Sequence, residues 1–328
     1  MKRFFVAISF LIALVCGGWQ FSTPLTASGN WDSTSWNNPP STNPTRVTHA
    51  SYTSAIMGVT VGFNIYVPPQ YATNPNQRFP VVYFFHGQSG VDENQGNGSG
   101  GLPSYLVSGL DTAITNGLVQ PMIVVFPNGG QNSHYMNAQP GTPAFVSSYM
   151  VEESLIGELI PYIEANYRTW GTQGGRAIQG FSMGGQGCER VAFKFPYLWS
   201  SAYCFSPAID DVASTFTGCP SGCTAVLTSE PALMANLYNN NETLFQSNTA
   251  WGWAAKNAAN INGLPIHVTI GSLDALVAPN QSMDSLLTSL GINHDALQIV
   301  SGYGHDVHLL DTGVSYANYY FAGSHFYQ

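Results

Sequence analysis

Gly180-Phe181-Ser182-Met183-Gly184 sets a serine between two glycines, each two positions away. The preceding Arg176-Ala177-Ile178-Gln179 reads as a buried strand, and the run from Gly185 to Phe195 reads as a helix. A serine at so tight a strand-to-helix turn has the form of a nucleophile elbow. Its backbone is strained, the glycine positions leave no room for a Cβ, and Oγ stands exposed near the positive end of the helix. In a chain with 34 glycines the pentapeptide alone is a weak signal, since an ordinary glycine-rich turn has the same letters.

A nucleophilic serine needs a base, an acid to orient that base, and donors for the developing oxyanion. In sheets fed by alternating strands and helices, such groups sit beyond the carboxyl ends of strands. Two further residues satisfy that placement in the order serine, aspartate, histidine. Asp274 follows the strand Ile266 to Ile270 in Gly271-Ser272-Leu273-Asp274, and His305 follows the last strand in Gly302-Tyr303-Gly304-His305-Asp306. Asp210, Asp211 and Asp306 compete for the acid, and Asp274 would also serve as a cap for the segment after it. His308 competes for the base from inside an expected helix, while His86, His134 and His267 lie elsewhere. One oxyanion donor is expected from the Met183 N–H. The other is expected from the loop after Phe85, with the Gln88 N–H preferred over that of Gly87. His305 would take the Ser182 proton as Oγ attacks an ester carbonyl, and Asp274 would hold the imidazole tautomer.

The elements that must position these residues alternate along the chain. Residues 28–45 form an irregular lead-in rich in Ser, Asn, Thr, Pro and Trp. Arg46 to Ala55 and Thr60 to Val67 read as antiparallel strands. Pro80 to Phe85 and Met122 to Phe126 have the continuous apolar character of strands buried on both faces. Helices are expected over Ser104 to Thr115, Glu152 to Tyr167, Thr249 to Ala259, Asn280 to Leu290 and Val307 to Phe321. Further strands are expected at Ala202 to Phe205, Ile266 to Ile270 and Ala296 to Val300. The pattern gives one α/β domain over 46–328, with a mostly parallel central sheet, helices on both faces and an insertion at about 206–262.

Composition narrows the setting. Nine Lys and Arg face eighteen Asp and Glu, and charged residues make up 8% of the 328 residues, against about 25% in an average chain. That acidic balance argues against nucleic acid and against a polybasic membrane contact as partners. Lys2-Arg3, the apolar run Phe4 to Val15 (broken by Ser9) and the small residues Gly17-Gly18 and Ala27 read as a secretory signal over 1–27, cleaved somewhere in 17–27. The run is short for a membrane span, so stable membrane insertion is not expected and the mature chain is expected outside the cell. Four cysteines then remain, Cys188, Cys204, Cys219 and Cys223. An even number in an exported chain suggests two disulfides; Cys219 with Cys223 and Cys188 with Cys204 is one of three pairings.

Several segments together resemble the esterase D-like group of α/β-hydrolases, and within it the feruloyl and acetylxylan esterases of carbohydrate esterase family 1. They are Tyr66-Val67-Pro68-Pro69, Val81-Val82-Tyr83-Phe84-Phe85-His86-Gly87, Asn132-Ser133-His134-Tyr135, Glu158-Leu159-Ile160-Pro161-Tyr162-Ile163-Glu164, Gly180-Phe181-Ser182-Met183-Gly184-Gly185, Gly271-Ser272-Leu273-Asp274 and Gly304-His305-Asp306. The resemblance covers about 46–322. It implies the α/β-hydrolase fold, Ser182, Asp274 and His305 as nucleophile, acid and base, and no metal or organic cofactor. The implied substrate is an acylated polysaccharide or oligosaccharide, with feruloyl or acetyl as the acyl group. Gly87, His134, Tyr135, Trp251 and Trp253 are candidate substrate contacts, with Tyr135 and the two tryptophans as stacking platforms. The tryptophans suit the core equally well. A mycolyl-type acyltransferase and a polyester hydrolase are alternatives on the same fold, and a non-catalytic carbohydrate-binding protein is a third. Family members often carry a tryptophan soon after the histidine, where this chain has Val307 and His308, and the 206–262 insertion departs from the family pattern.

Overall fold

The computed structural model describes residues 35–40, 42–88, 101–146, 149–209, 231–306, 309 and 316–328. The expected signal segment, Asp210, Asp211, Cys219, Cys223 and His308 lie outside the described residues. The strands are β1 (Val47–Ser54), β2 (Val59–Tyr66), β3 (Val81–Phe85), β4 (Ile123–Pro127), β5 (Arg176–Phe181), β6 (Ser201–Phe205), β7 (Ile266–Gly271) and β8 (Gln298–Val300). They form one sheet in the order β1-β2-β4-β3-β5-β6-β7-β8. β2 runs antiparallel to both β1 and β4, and every later pairing is parallel. This is the α/β-hydrolase arrangement that the sequence implied.

Burial on both faces explains the apolar runs. Along β3, Val81, Tyr83 and Phe85 enter one core while Val82 and Phe84 enter the other. The same period-two division separates Ile123 and Val125 from Val124 and Phe126 on β4, and Ala202 and Cys204 from Tyr203 and Phe205 on β6. α1 (Gly101–Thr115) covers the second face through Leu106, Leu110 and Ala113. The first face is covered by α2, which begins at Val151, by α3 (Met183–Lys194), α4 (Ala250–Ile261) and α5 (Val277–Ser289). α6 (Ala317–His325) returns to the second face through Tyr319 and Ala322.

Several boundaries differ from expectation. α2 is not one regular helix: Val151–Ser154 passes through a π-helical turn, Leu155–Leu159, before continuing as Ile160–Asn166. Pro161 is the cause. It has no N–H for the carbonyl of Gly157 and its ring crowds that carbonyl, so the backbone widens there. α3 begins at Met183, two residues earlier than expected. Of the expected closing helix, Val307 to Phe321, residues 307–308 and 310–315 lie outside the described residues, and the described part is a helix over Ala317–His325. The described part of the insertion holds two extra short helices, Pro231–Tyr238 and Glu242–Gln246, before α4. Cys188 on α3 is disulfide-bonded to Cys204 on β6, with Cα atoms 5.8 Å apart. Among the described residues no helix is long and apolar enough to cross a membrane.

Candidate active site

The parallel strands bring their carboxyl ends to one rim, and the candidate residues follow β3, β5, β7 and β8 there. Ser182 stands between β5 and α3 with φ 58° and ψ −118°, a conformation that costs a non-glycine residue roughly 1–3 kcal/mol. The surroundings hold it there. Its N–H donates to the Phe205 carbonyl at 3.0 Å, and its carbonyl accepts from the N–H groups of Gln186 at 3.0 Å and Ala208 at 2.9 Å. The flanking glycines are required by close backbone approach. A Cβ on Gly180 would lie 2.2 Å from the Gly184 carbonyl oxygen, and one on Gly184 would lie 2.2 Å from that of Phe85.

His305 links the serine to the acid. Its Nε2 is 2.7 Å from Ser182 Oγ and its Nδ1 is 2.8 Å from Asp274 Oδ2. The Asp274 side chain is fully enclosed, whereas that of His305 is 38% exposed, which lets the imidazole reach an arriving substrate. The ring of Phe181 lies under the imidazole, centroids 5.0 Å apart. The loop bearing His305 is tied to the loop bearing Asp274 by backbone bonds: Ser272 N–H to the Val300 carbonyl and Leu273 N–H to the Tyr303 carbonyl, both 2.8 Å. Burial alone would push the Asp274 carboxyl up. Hydrogen bonds from His305 and the Leu276 N–H, the charge of the protonated ring and the neighbouring Ser206 hydroxyl outweigh it and hold the group below its ordinary value. Asp274 is therefore a carboxylate across the neutral range, suited to fixing a ring N–H and to stabilising an imidazolium.

The β3 loop is braced from below. Burial pushes the His86 imidazole down to about 4, so it is uncharged at neutral pH. Its Nε2 accepts the Gly129 N–H at 3.1 Å, which leaves the Nδ1–H to donate to the Gly87 carbonyl at 2.8 Å. His86 thereby joins the loops after β3 and β4. Gln88, at the exposed end of this bracing, donates its side-chain Nε2–H to Asn132 Oδ1 at 2.7 Å. Met183 is the first residue of α3, so its N–H has no place in the helix ladder. Met183 directly follows the serine, and Gln88 lies three residues beyond the end of β3, the strand that pairs with β5.

The structure does not bring the expected stacking residues to the serine. Tyr135 is fully buried, its ring stacked 4.1 Å from that of Phe85 and its hydroxyl donating to the His86 carbonyl at 3.3 Å. His134 is buried as well, its Nδ1 bonded to Gln186 Oε1. Both have left-handed backbones, φ 50° and 56°, which turn their side chains inward. Arg190 holds that turn by donating to the Tyr135 carbonyl at 3.0 Å. Trp251 is 3% exposed and belongs to the core. Trp253 is partly exposed beside Lys194 and Lys256, far along α3 and α4 from Ser182. Gly87 is buried, and its carbonyl accepts from the His86 ring. The parts not foreseen, namely Phe181 under His305, Ser206 beside Asp274 and Arg190 on Tyr135, left no signal in residue type or spacing. Among the described residues no group of His, Cys, Asp and Glu converges as a metal site.

Comparison with known proteins adds a family. Residues 54–321 match the Esterase family model, described as "Putative esterase". The chain is 33% identical over 160 residues to Esterase Rv1288 of Mycobacterium tuberculosis, a match covering 49% of this chain and 32% of that one. It is 30% identical over 144 residues to an endo-1,4-beta-xylanase/feruloyl esterase of Xylanibacter ruminicola, covering 42% of this chain and 18% of that one. The matched region thus spans a third or less of these relatives. A solved ferulic acid esterase superimposes with a TM-score of 0.66 at 20% identity, covering 85% of this chain and 98% of that one, a likeness of fold. With the family model matched from the end of the first strand into the last helix, over β2 to β8 and over Ser182, Asp274 and His305, the chain belongs to the Esterase family.

Proposed function

We propose that the chain is a secreted serine carboxylesterase that removes acyl groups, feruloyl or acetyl, from plant cell-wall polysaccharide. The observation that carries the proposal is the unbroken hydrogen-bond chain from Asp274 through His305 to Ser182 at the tip of a strained turn. The names of the xylanase/feruloyl esterase relative and of the ferulic acid esterase support the substrate class. The basic-then-apolar segment Lys2 to Val15 and the Cys188–Cys204 disulfide support export.

In the first half-reaction Ser182 Oγ attacks the ester carbonyl carbon and its proton passes to His305 Nε2. The carbonyl π electrons move to oxygen, which the N–H groups of Met183 and Gln88 receive. As the tetrahedral intermediate collapses, the C–O bond to the sugar breaks and His305 returns the proton to the departing sugar oxygen. The acyl group is then bonded to Ser182. In the second half water loses a proton to His305, attacks the acyl carbon, and the acid leaves as Oγ regains its proton. Asp274, buried and anionic, keeps Nδ1–H directed inward throughout, so Nε2 remains the working nitrogen.

The test is a panel of methyl ferulate, acetylated xylan, 4-nitrophenyl acetate and a polyester film, offered to the wild type and to Ser182→Ala. Release of ferulate or acetate by the wild type alone is expected. Equal inactivity of both proteins on all four overturns the esterase assignment, and activity confined to the aryl ester or the film overturns the polysaccharide assignment.

A further inference from the structure

We propose that a second site, at the end of the sheet away from Ser182, binds an acidic sugar chain through its carboxylates. A cavity of about 780 Å³ opens at the amino-terminal ends of β5, β6 and β7, bounded by Gln173, Ser200 and Pro265 just before those strands. Its volume lies in the range of small-molecule sites. Five or six residues of extended strand separate it from the serine, roughly 15–20 Å.

The lining is unlike the rest of the molecule. The chain has 18 Asp and Glu against nine Lys and Arg, yet the cavity wall carries Lys194, Lys256 and His325 and no carboxylate. Lys2, Lys194 and Lys256 are the chain's lysines, so both lysines of the folded domain face one cavity. Their ammonium groups flank one indole: Nζ of Lys194 and Nζ of Lys256 lie 5.1 and 4.9 Å from the Trp253 ring centroid. The charge there is not cancelled internally. Lys194 is paired with Glu152 at 2.5 Å, but it shares that one carboxylate with the buried Arg190 at 2.6 Å, so a single acid answers two cations. Lys256 donates to the uncharged Ser247 carbonyl at 2.6 Å rather than to a carboxylate. Two tyrosines of the wall, Tyr197 and Tyr327, are 64% and 55% exposed.

Paired ammonium groups beside exposed aromatic faces match a ligand with carboxylates set on rings whose C–H faces are apolar. A uronate-bearing polysaccharide has that chemistry. A neutral sugar would leave the lysines unanswered, and a polyphosphate would leave the tyrosines unanswered. The site is independent of the ester chemistry at Ser182, and its test uses a protein that cannot hydrolyse.

The full chain carrying Ser182→Ala is run by affinity electrophoresis through gels containing polygalacturonate, methylglucuronoxylan, neutral arabinoxylan or polyphosphate, at low salt and at about 0.3 M salt, where the screening length is well below 10 Å. Retardation by the two uronate polymers is expected, weakening with salt. Lys256→Met should raise the dissociation constant about fivefold to tenfold and Tyr197→Ser several-fold, the usual effects of losing one charge-assisted contact or one platform. In the background with Ser182 intact, both variants should hydrolyse 4-nitrophenyl acetate at the wild-type rate and melt at the wild-type temperature. No retardation by either uronate polymer, equal retardation by arabinoxylan, stronger retardation by polyphosphate, or unchanged binding by both variants would each overturn the proposal.

Discussion

Glu189 lies about two turns beyond Ser182 on α3, and replacing it by glutamine should change how stability depends on pH. The residue is completely enclosed and neither carboxyl oxygen has a hydrogen-bond partner. Burial pushes its carboxyl from 4.5 up to about 8. The native protein therefore keeps a proton at Glu189 that the unfolded chain releases near pH 4.5. Above that pH the unfolded state binds fewer protons, so stability falls as pH rises, until the native carboxyl also ionises near pH 8. At about 1.4 kcal/mol per pH unit, the loss from pH 5 to pH 8 comes to ~3.5 kcal/mol. A glutamine in its place would be nearly isosteric and would not titrate. The buried amide of the variant adds a penalty of about 1–3 kcal/mol, but one independent of pH. The measurement is urea unfolding followed by tryptophan fluorescence at pH 5, 6, 7 and 8, with the disulfide intact. The difference between wild type and Glu189→Gln should shift by ~3.5 kcal/mol across that range in favour of the variant. Because the two proteins share every other titrating group, His86 included, those contributions cancel. A difference that stays flat with pH would mean that Glu189 is ionised in the native state, and the reasoning from burial would be refuted.

Three further outcomes bear on the site. Asp274→Asn should leave the fold intact and lower kcat by about 10⁴, the usual cost of losing the tautomer-fixing carboxylate, measured on 4-nitrophenyl acetate. Gln88→Ala keeps the backbone N–H and should retain activity within a few-fold, whereas Gln88→Pro removes that N–H and should cost about 100- to 1,000-fold in kcat; equal effects would move the oxyanion donor elsewhere. Replacing Cys188 and Cys204 together by alanine opens a cross-link across a separation of 16 residues and should cost about 3 kcal/mol in urea unfolding, with the kinetic constants nearly unchanged.

The sheet was legible because a strand buried on both faces must be apolar throughout, as Val81–Phe85 and Ile123–Phe126 are. The serine, aspartate and histidine were legible because each lies in the turn or loop that follows a strand, and the ends of parallel strands converge on one rim whatever the loops do. Other features depend on contacts that residue type does not encode. Tyr135 looks like an exposed platform in a polar loop, but the left-handed turn at His134-Tyr135 and the hold of Arg190 on its carbonyl send the ring inward against Phe85. Trp251 and Trp253 read as equivalent, yet two positions on a helix differ by about 200° of rotation, which puts one in the core and one at a cavity mouth. The π-helical turn was hidden by the regular spacing of Leu155, Leu159 and Ile163, and Pro161 was its sequence mark.

The base stands on the weakest support of the three. β5, which ends at the serine, has five buried residues of six, and so has β7, which leads to Asp274. β8, which leads to His305, has three residues, none fully buried, paired along a single edge. Local openings are cheapest where contacts are fewest. On heating, the histidine should therefore leave its partners while the serine and the aspartate are still in place. Activity would then vanish some degrees below the melting temperature and return on cooling, a reversible thermal cut-off set by three residues at the rim of the sheet.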